Sequence, residues 1–308
     1  MDKALLKNFA PVLAILAGCM WGSVGFFVRY LSALNISNMT IVECRLGGAA
    51  ILMFFFLIIY DKNLLKIKLK DSWCFIGTGM ISMVFLNFFY NAAINITSLS
   101  LAAILLATAP IFGIFLARII FGEKITAIKI ISFLLAFGGC VLVSGIIDRG
   151  SNFSFLGIII GLASALFYAL YSIFSRFALN KGYNSLTINM YSFIFAAIGG
   201  AFFSDFYVLI RELGQSPLSL GTFLVFHSLL ASAAPYILFT ISLKYLDIGR
   251  ASILASGEPV VATLIGLLIF NEIPSLLSVI GIVLVLVALA LLSKPPKKVI
   301  QQKGTSLN

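Results

Sequence analysis

Apolar runs of about 20 residues, long enough to cross a bilayer as a helix, alternate with short polar connections along the whole chain. The pattern predicts ten spans, at residues 9–30, 39–60, 73–93, 99–121, 127–147, 155–178, 186–210, 221–243, 250–270 and 275–293. It lacks the alternating segments of about 10 residues that build a membrane barrel. The predicted fold class is an all-α polytopic membrane protein. The first run is too long for a signal-peptide core and has no small-residue cleavage site behind it, so it counts as a span.

Two of the runs are interrupted alike. The stretch Arg250 to Glu272, RASILASGEPVVATLIGLLIFNE, carries Glu258 and Pro259 near its middle. The stretch Ser100 to Glu123, SLAAILLATAPIFGIFLARIIFGE, carries Pro110. A proline inside a helix removes a backbone donor and breaks or kinks it. In hydrocarbon, the freed groups must be met by protein or by water in a cavity. A shift of 149 residues lays Pro110 on Pro259, Phe121 on Phe270 and Glu123 on Glu272. The chain thus reads as two five-span repeats, 1–147 and 155–293, joined by the polar stretch 148–154 and followed by a basic tail, 294–308. An odd number of spans makes the second repeat enter the membrane upside down. Matched breaks in inverted repeats point to a transporter's midplane site.

Composition agrees and adds orientation. Hydrophobic residues make up 61% and charged residues only 10%, with a mean hydropathy of +1.11; soluble proteins carry about a quarter charged residues. The net charge of +10 does not indicate nucleic acid, because the lysines gather in alternate connections. Lys62, Lys66, Lys68 and Lys70, Lys124, Lys181, Lys244 and the tail lysines share one side with Lys3 and Lys7. Arg149, Arg211, Asp148, Glu212 and Glu272 fall on the other. The positive-inside rule then predicts both termini in the cytoplasm.

Chemistry-bearing positions are few. Glu258 is the one acidic residue near the middle of any span, and a charge there is expensive unless it faces a cavity or a partner. It has three readings: counter-charge for a cationic substrate, protonatable coupling group with H+ as the coupling ion, or structural acceptor for backbone freed at Pro259. Ala109 stands at the matching place in the first repeat, so the kink itself does not require a carboxylate. Polar stripes at helical spacing mark shared interior faces: Asn87, Tyr90 and Asn91; Ser228, Ser232, Tyr236 and Thr240; Ser164, Tyr168, Tyr171 and Ser175; and Ser252 with Ser256. The repeat offset lays Asn87 on Tyr236 and Asn91 on Thr240. Whether these faces line a wet cavity or a hydrogen-bonded seam stays open at this point. Trp21 aligns with Tyr168 when Arg29 is laid on Arg176, and aromatics across a cavity can hold apolar or quaternary-ammonium groups. Glu43 and Arg45 lie near one end of span two, too close in sequence to face each other; Arg45 either pairs with another helix or snorkels outward. His227 reads as a structural histidine. Gly18 with Gly22, and Gly157 with Gly161, read as close helix contacts.

The expected substrate-binding or coupling set is Glu258, Trp21, Asn87, Tyr90, Asn91, Tyr168, Tyr171, Tyr236 and Ser256, with helix breaks at Pro110 and Pro259. No metal or cofactor is expected: Cys19, Cys44, Cys74 and Cys140 lie inside apolar runs without CxxC spacing. No Walker, HExxH or GxSxG motif occurs, so neither an ATP motor nor a membrane enzyme is indicated.

In its two broken spans, its Trp21-Gly22 start and an arginine early in span two, Arg45, the sequence resembles the drug/metabolite transporter superfamily, specifically the EamA type. The resemblance covers nearly the whole chain. It implies a carrier in the prokaryotic plasma membrane for a small organic metabolite, with a central cavity between the halves. The expected function is a secondary transporter of an amino acid, amine or similar compound, working by alternating access in a lipid bilayer. The alternative is a passive channel or lipid-handling protein of the same fold.

Overall fold

In the computed structural model, residues 3–97, 99–144, 154–271 and 273–293 are described. The predicted 148–154 connection, the tail 294–308 and Glu272 lie wholly or mostly outside them. Among the described residues the protein is all helix. Nine helices are long and apolar enough to cross a membrane: α1 Leu6–Ala33, α2 Asn38–Tyr60, α3 Leu69–Ile96, α4 Leu101–Phe121, α6 Phe155–Asn180, α7 Ser185–Phe203, α8 Pro217–Tyr245, α9 Ile248–Phe270 and α10 Leu276–Ser293. A shorter apolar helix, α5 Ala127–Val143, completes the set. Polar side chains start the helices where the sequence offers them: Ser37 accepts from the Thr40 N–H, Ser154 from Gly157, Asn184 from Leu186 and Asp247 from Arg250. Such caps satisfy donors that a helix start leaves orphaned.

Span seven ends earlier than its apolar run suggests. It closes in a tight turn, Ala201–Phe203, and Tyr207–Gln215 forms a separate short helix. Ser204 and Asp205 stop the span because they bond across to α2: Ser204 Oγ donates to the Met39 carbonyl, and Thr40 Oγ1 donates to that of Asp205.

The two repeats match in three dimensions at the offset read from the sequence. α4 breaks between Leu106 and Ala109, and α9 between Leu254 and Glu258. Both end in a left-handed residue, Gly122 at φ 68° and Asn271 at φ 56°. α3 and α8 each contain a widened π turn, Gly77–Val84 and Leu229–Ala233, which overlap under the same shift. Each repeat's first helix packs its glycine pair against the other repeat, α1 on the broken helix α9, and α6 on the end of α3 and on the broken helix α4. Side chains at Gly18 and Gly22 would strike Ala255 and Val261 of α9, and at Gly157 and Gly161 they would strike Thr97 and Leu105.

α5 and α10 pack backbone against backbone at Gly139 and Gly281. A Cβ on either would stand 2.6 Å from the other's carbonyl oxygen. We call the membrane face holding the 61–68, 122–126, 181–184 and 246–247 connections the N face, since α1 starts there. It is closed by bonds between repeats. Lys181 Nζ reaches Asp71 at 2.7 Å, Tyr183 donates to Asp71, Thr187 donates to the Leu64 carbonyl and Tyr191 to that of Leu65.

Candidate functional site

A chamber of about 820 Å³ lies between the repeats, within the range of about 300–1,000 Å³ typical of small-molecule sites. Its wall runs from the middle of the bundle to the face opposite the N face, reaching Arg29, Asn38 and Pro274 there. Both helix breaks contribute to it, through Ala109 and Pro110 on α4 and through Ser256, Glu258 and Pro259 on α9.

The breaks satisfy their own backbone. In α4 the Thr108 N–H and hydroxyl both donate to the Leu105 carbonyl, at 3.1 and 2.6 Å. In α9 the Ser256 N–H donates to Ile253, and the Ser256 hydroxyl donates to the Ser252 carbonyl at 3.2 Å. Glu258 takes no part: among the described residues its carboxylate makes no hydrogen bond and no ion pair. It is exposed, and the space it is exposed to is the chamber. It opens the second half of α9, where the positive end of a helix dipole favours an anion.

Arg45 faces it across the same space. The guanidinium is buried, yet it lines the chamber. Nη1 donates to the Ala231 carbonyl, in the widened turn of α8, at 3.2 Å, and Nη2 donates to Asn87 Oδ1 at 3.3 Å. Asn87 is itself held by its Nδ2 donating to the Met83 carbonyl at 2.7 Å. Arg45 therefore turns inward and does not snorkel, and it pairs with an amide and a carbonyl instead of a carboxylate. It was not in the expected set. The sequence marked it as an arginine early in an apolar run that either pairs with another helix or snorkels; its aim depends on the π turn, which no periodicity reveals. Ser172, Thr263 and Phe239 also line the chamber without having been singled out.

Of the expected set, Asn87, Tyr90, Asn91, Tyr168, Ser256, Glu258 and both prolines line the chamber. Trp21, Tyr171 and Tyr236 do not. They are 6%, 1% and 4% exposed and form a packed layer on its N-face side. Trp21 meets Tyr168 at 6.0 Å and Tyr236 at 5.0 Å, and Tyr236 meets Tyr171 at 5.0 Å and Phe193 at 5.6 Å. The Tyr171 hydroxyl donates to Asn189 Oδ1 at 2.9 Å and shares a bond with Thr240 at 2.7 Å.

A second closure lies nearer the N face. Both oxygens of Glu123 accept from the Ile248 N–H, at 3.1 and 3.0 Å, tying the end of α4 to the start of α9. Arg176 on α6 stands 3.8 Å from Glu123 and donates to the Leu246 carbonyl. Lys129 on α5 pairs with Asp247 at 2.9 Å. Burial pushes the Glu123 carboxyl above its ordinary range, ahead of the opposing pull of the Ile248 N–H and Arg176.

His227 and Glu43 stay outside the chamber wall. His227 is fully buried and stacks on Phe27 at 4.9 Å, with neither ring nitrogen partnered among the described residues. Glu43 sits against Gly200 of α7. No group of His, Cys, Asp or Glu among the described residues has the makings of a metal site.

A helical bundle of two inverted repeats around a largely apolar chamber with a few polar and charged side chains in its wall defines the class: a multi-pass membrane transport protein. The chain belongs to the EamA-like transporter family, which it matches over residues 8–145 and 155–294, one match for each repeat. It is similar to an uncharacterized transporter of Archaeoglobus fulgidus, 28% identical over 89% of this chain and 92% of the relative. It is also similar to the uncharacterized transporter YxxF of Bacillus subtilis, 26% identical over 98% and 95%. A solved crystal structure shares the fold at a TM-score of 0.74 and 16% identity, covering 92% of this chain and 95% of that one. These relatives are transporters by name, not enzymes.

Proposed function

We propose that the protein is a secondary transporter that moves a small organic metabolite across the plasma membrane by alternating access. The N face is cytoplasmic by the lysine bias of its connections, so the conformation described here opens outward. The observation that carries the reading is the chamber itself: both broken helices meet in it, and Glu258 stands in it unpartnered. A continuous pore would need a path to the N face. The aromatic layer around Trp21 and the Glu123 closure fill that path, which favours a carrier over a channel.

Counterflow in proteoliposomes tests this against amino acids, amines and nucleosides. Saturable exchange of at least one compound is expected, reduced about tenfold or more by Glu258→Gln. Linear flux indifferent to Glu258→Gln would reject the carrier reading. Proton coupling through Glu258 belongs to the same proposal. An imposed pH gradient should change the rate in the wild type and leave Glu258→Gln unchanged.

A further inference from the structure

At the N face a second, smaller cavity of about 250 Å³ opens between the repeats. That is below the range of about 300–1,000 Å³ typical of whole small-molecule sites. Lys66, Lys68 and Asp71 of the first repeat line it, with Lys181 and Tyr183 of the second. Three ammonium groups stand against one carboxylate, and that carboxylate is occupied. Asp71 Oδ1 accepts from Lys181 Nζ at 2.7 Å, and Oδ2 accepts from the Tyr183 hydroxyl at 2.8 Å. The Tyr183 hydroxyl accepts in turn from the Lys68 N–H at 3.1 Å, which fixes the Lys68 backbone against the second repeat. The Lys68 ammonium itself meets no acceptor among the described residues. Lys66 reaches only a neutral amide, Asn63 Oδ1, at 3.0 Å. An ammonium has three donors, so both lysines keep donors for an anion. Apolar surface adjoins them. Leu69 is 88% exposed and Trp73 43%, and the Trp73 ring lies 5.8 Å from Lys181 Nζ and 5.2 Å from Phe177 of α6. α3 begins at Leu69, so the lysines stand at headgroup depth with Leu69 and Trp73 just below, where tryptophan concentrates.

We infer that this cavity seats the phosphate of an anionic phospholipid, whose acyl chains run along the seam of α3 and α6 past Leu69 and Trp73. Basic pockets between membrane helices take such headgroups. A soluble phosphate would use the lysines and leave the apolar surface idle. A zwitterionic lipid would bring its own cation to a wall that already carries positive charge in excess. The positive-inside rule asks for lysines on this face, but not for a cavity, nor for lysines of two connections meeting at it. Because the wall draws on both repeats, a headgroup there bridges them and favours the form closed at the N face. The binding is independent of what the chamber carries; the bridging effect rests on the alternating-access reading above.

The test is a thermal-shift titration of purified protein in neutral detergent with dioctanoyl phosphatidylglycerol, dioctanoyl phosphatidylcholine and inorganic phosphate. Phosphatidylglycerol should stabilise the wild type at concentrations about tenfold or more below the other two. Lys66→Gln combined with Lys68→Gln should raise the concentration needed by about tenfold or more. Lys62→Gln combined with Lys70→Gln removes the same charge from the same connection outside the cavity wall and should raise it about twofold or less. All four lysines are exposed, and the unfolding temperature without lipid checks that each pair keeps the fold. Equal losses in the two pairs overturn the site, since they mark a diffuse surface field. Phosphatidylcholine as effective as phosphatidylglycerol overturns it too, and inorganic phosphate as effective as the lipid overturns the lipid assignment. The bridging is read from Ser252→Cys, in a chain whose native cysteines are replaced, labelled from the N-face side of vesicles. Labelling should be slower, by about twofold or more, in equal parts of the two phospholipids than in phosphatidylcholine alone, and the Lys66 and Lys68 pair should lose the difference. Equal rates with phosphatidylglycerol binding intact overturn the bridging and keep the site. No labelling from that side in either lipid would count against alternating access and leave the site untouched.

Discussion

A methyl group on Gly18 would overlap the carbonyl oxygen of Ala255, while one on Gly138 would meet nothing within 4 Å. The two glycines therefore respond oppositely to the same change. Gly18→Ala has to push α1 off the broken turn of α9, an overpacking that costs about 1–3 kcal/mol, and it should lower the unfolding temperature in detergent. Gly138→Ala should be neutral or raise it, since alanine favours a helix over glycine by about 0.5–1 kcal/mol. At this scale the sequence shows which residue types are present but not what they face. The Gly18–Gly22 pair could be read as packing, because small residues at that spacing have one use in a membrane helix. Arg45 could not be placed, because a carbonyl from α8, 186 positions away, decides where it points.

The broken helices were legible because proline writes its effect into the sequence directly. The π turns in α3 and α8 were not, since they need no special residue and shift the register by a fraction of a turn. Polar stripes had an intermediate fate. Their spacing correctly gathered Tyr168, Tyr171 and Tyr236 toward the interior, but periodicity cannot say whether a face meets open space or another ring. The stripe on α6 divides between the two: Tyr168 lines the chamber, while Tyr171 is sealed behind it. Tyr171→Phe should accordingly cost stability, about 1–3 kcal/mol for leaving Asn189 and Thr240 short of a buried partner. It should leave ligand affinity nearly unchanged. Tyr168→Phe should weaken binding more than it weakens the fold. Thermal unfolding with and without ligand checks both.

The whole molecule is shut at the N face by contacts that join one repeat to the other, and Glu123 is central to them. Glu123→Ala removes the acceptor for the Ile248 N–H and the partner of Arg176, so it should favour opening toward the N face. A cysteine at Ser252, on the chamber wall, would then label faster with a reagent applied from that side of oriented vesicles. The same carboxyl gives a pH dependence. Burial raises it in the closed form, with Asp247 also raising it and Arg176 and Lys129 opposing. Water would return it to its ordinary range in an N-face-open form. The closed form then binds the proton more tightly, so closure is favoured as pH falls and weakened as pH rises through the raised value. Labelling at Ser252→Cys should speed up over that window in the wild type and lose this part of its pH dependence in Glu123→Ala.

Gly139 and Gly281 offer a last consequence, for descent instead of mechanism. Each occupies the only room the other's carbonyl leaves, so neither can acquire a side chain while its neighbour stays where it is. Along the history of the lineage the two codons should have changed together or not at all. A set of diverged sequences should show the pair covarying more strongly than Gly138 does with any position in α10.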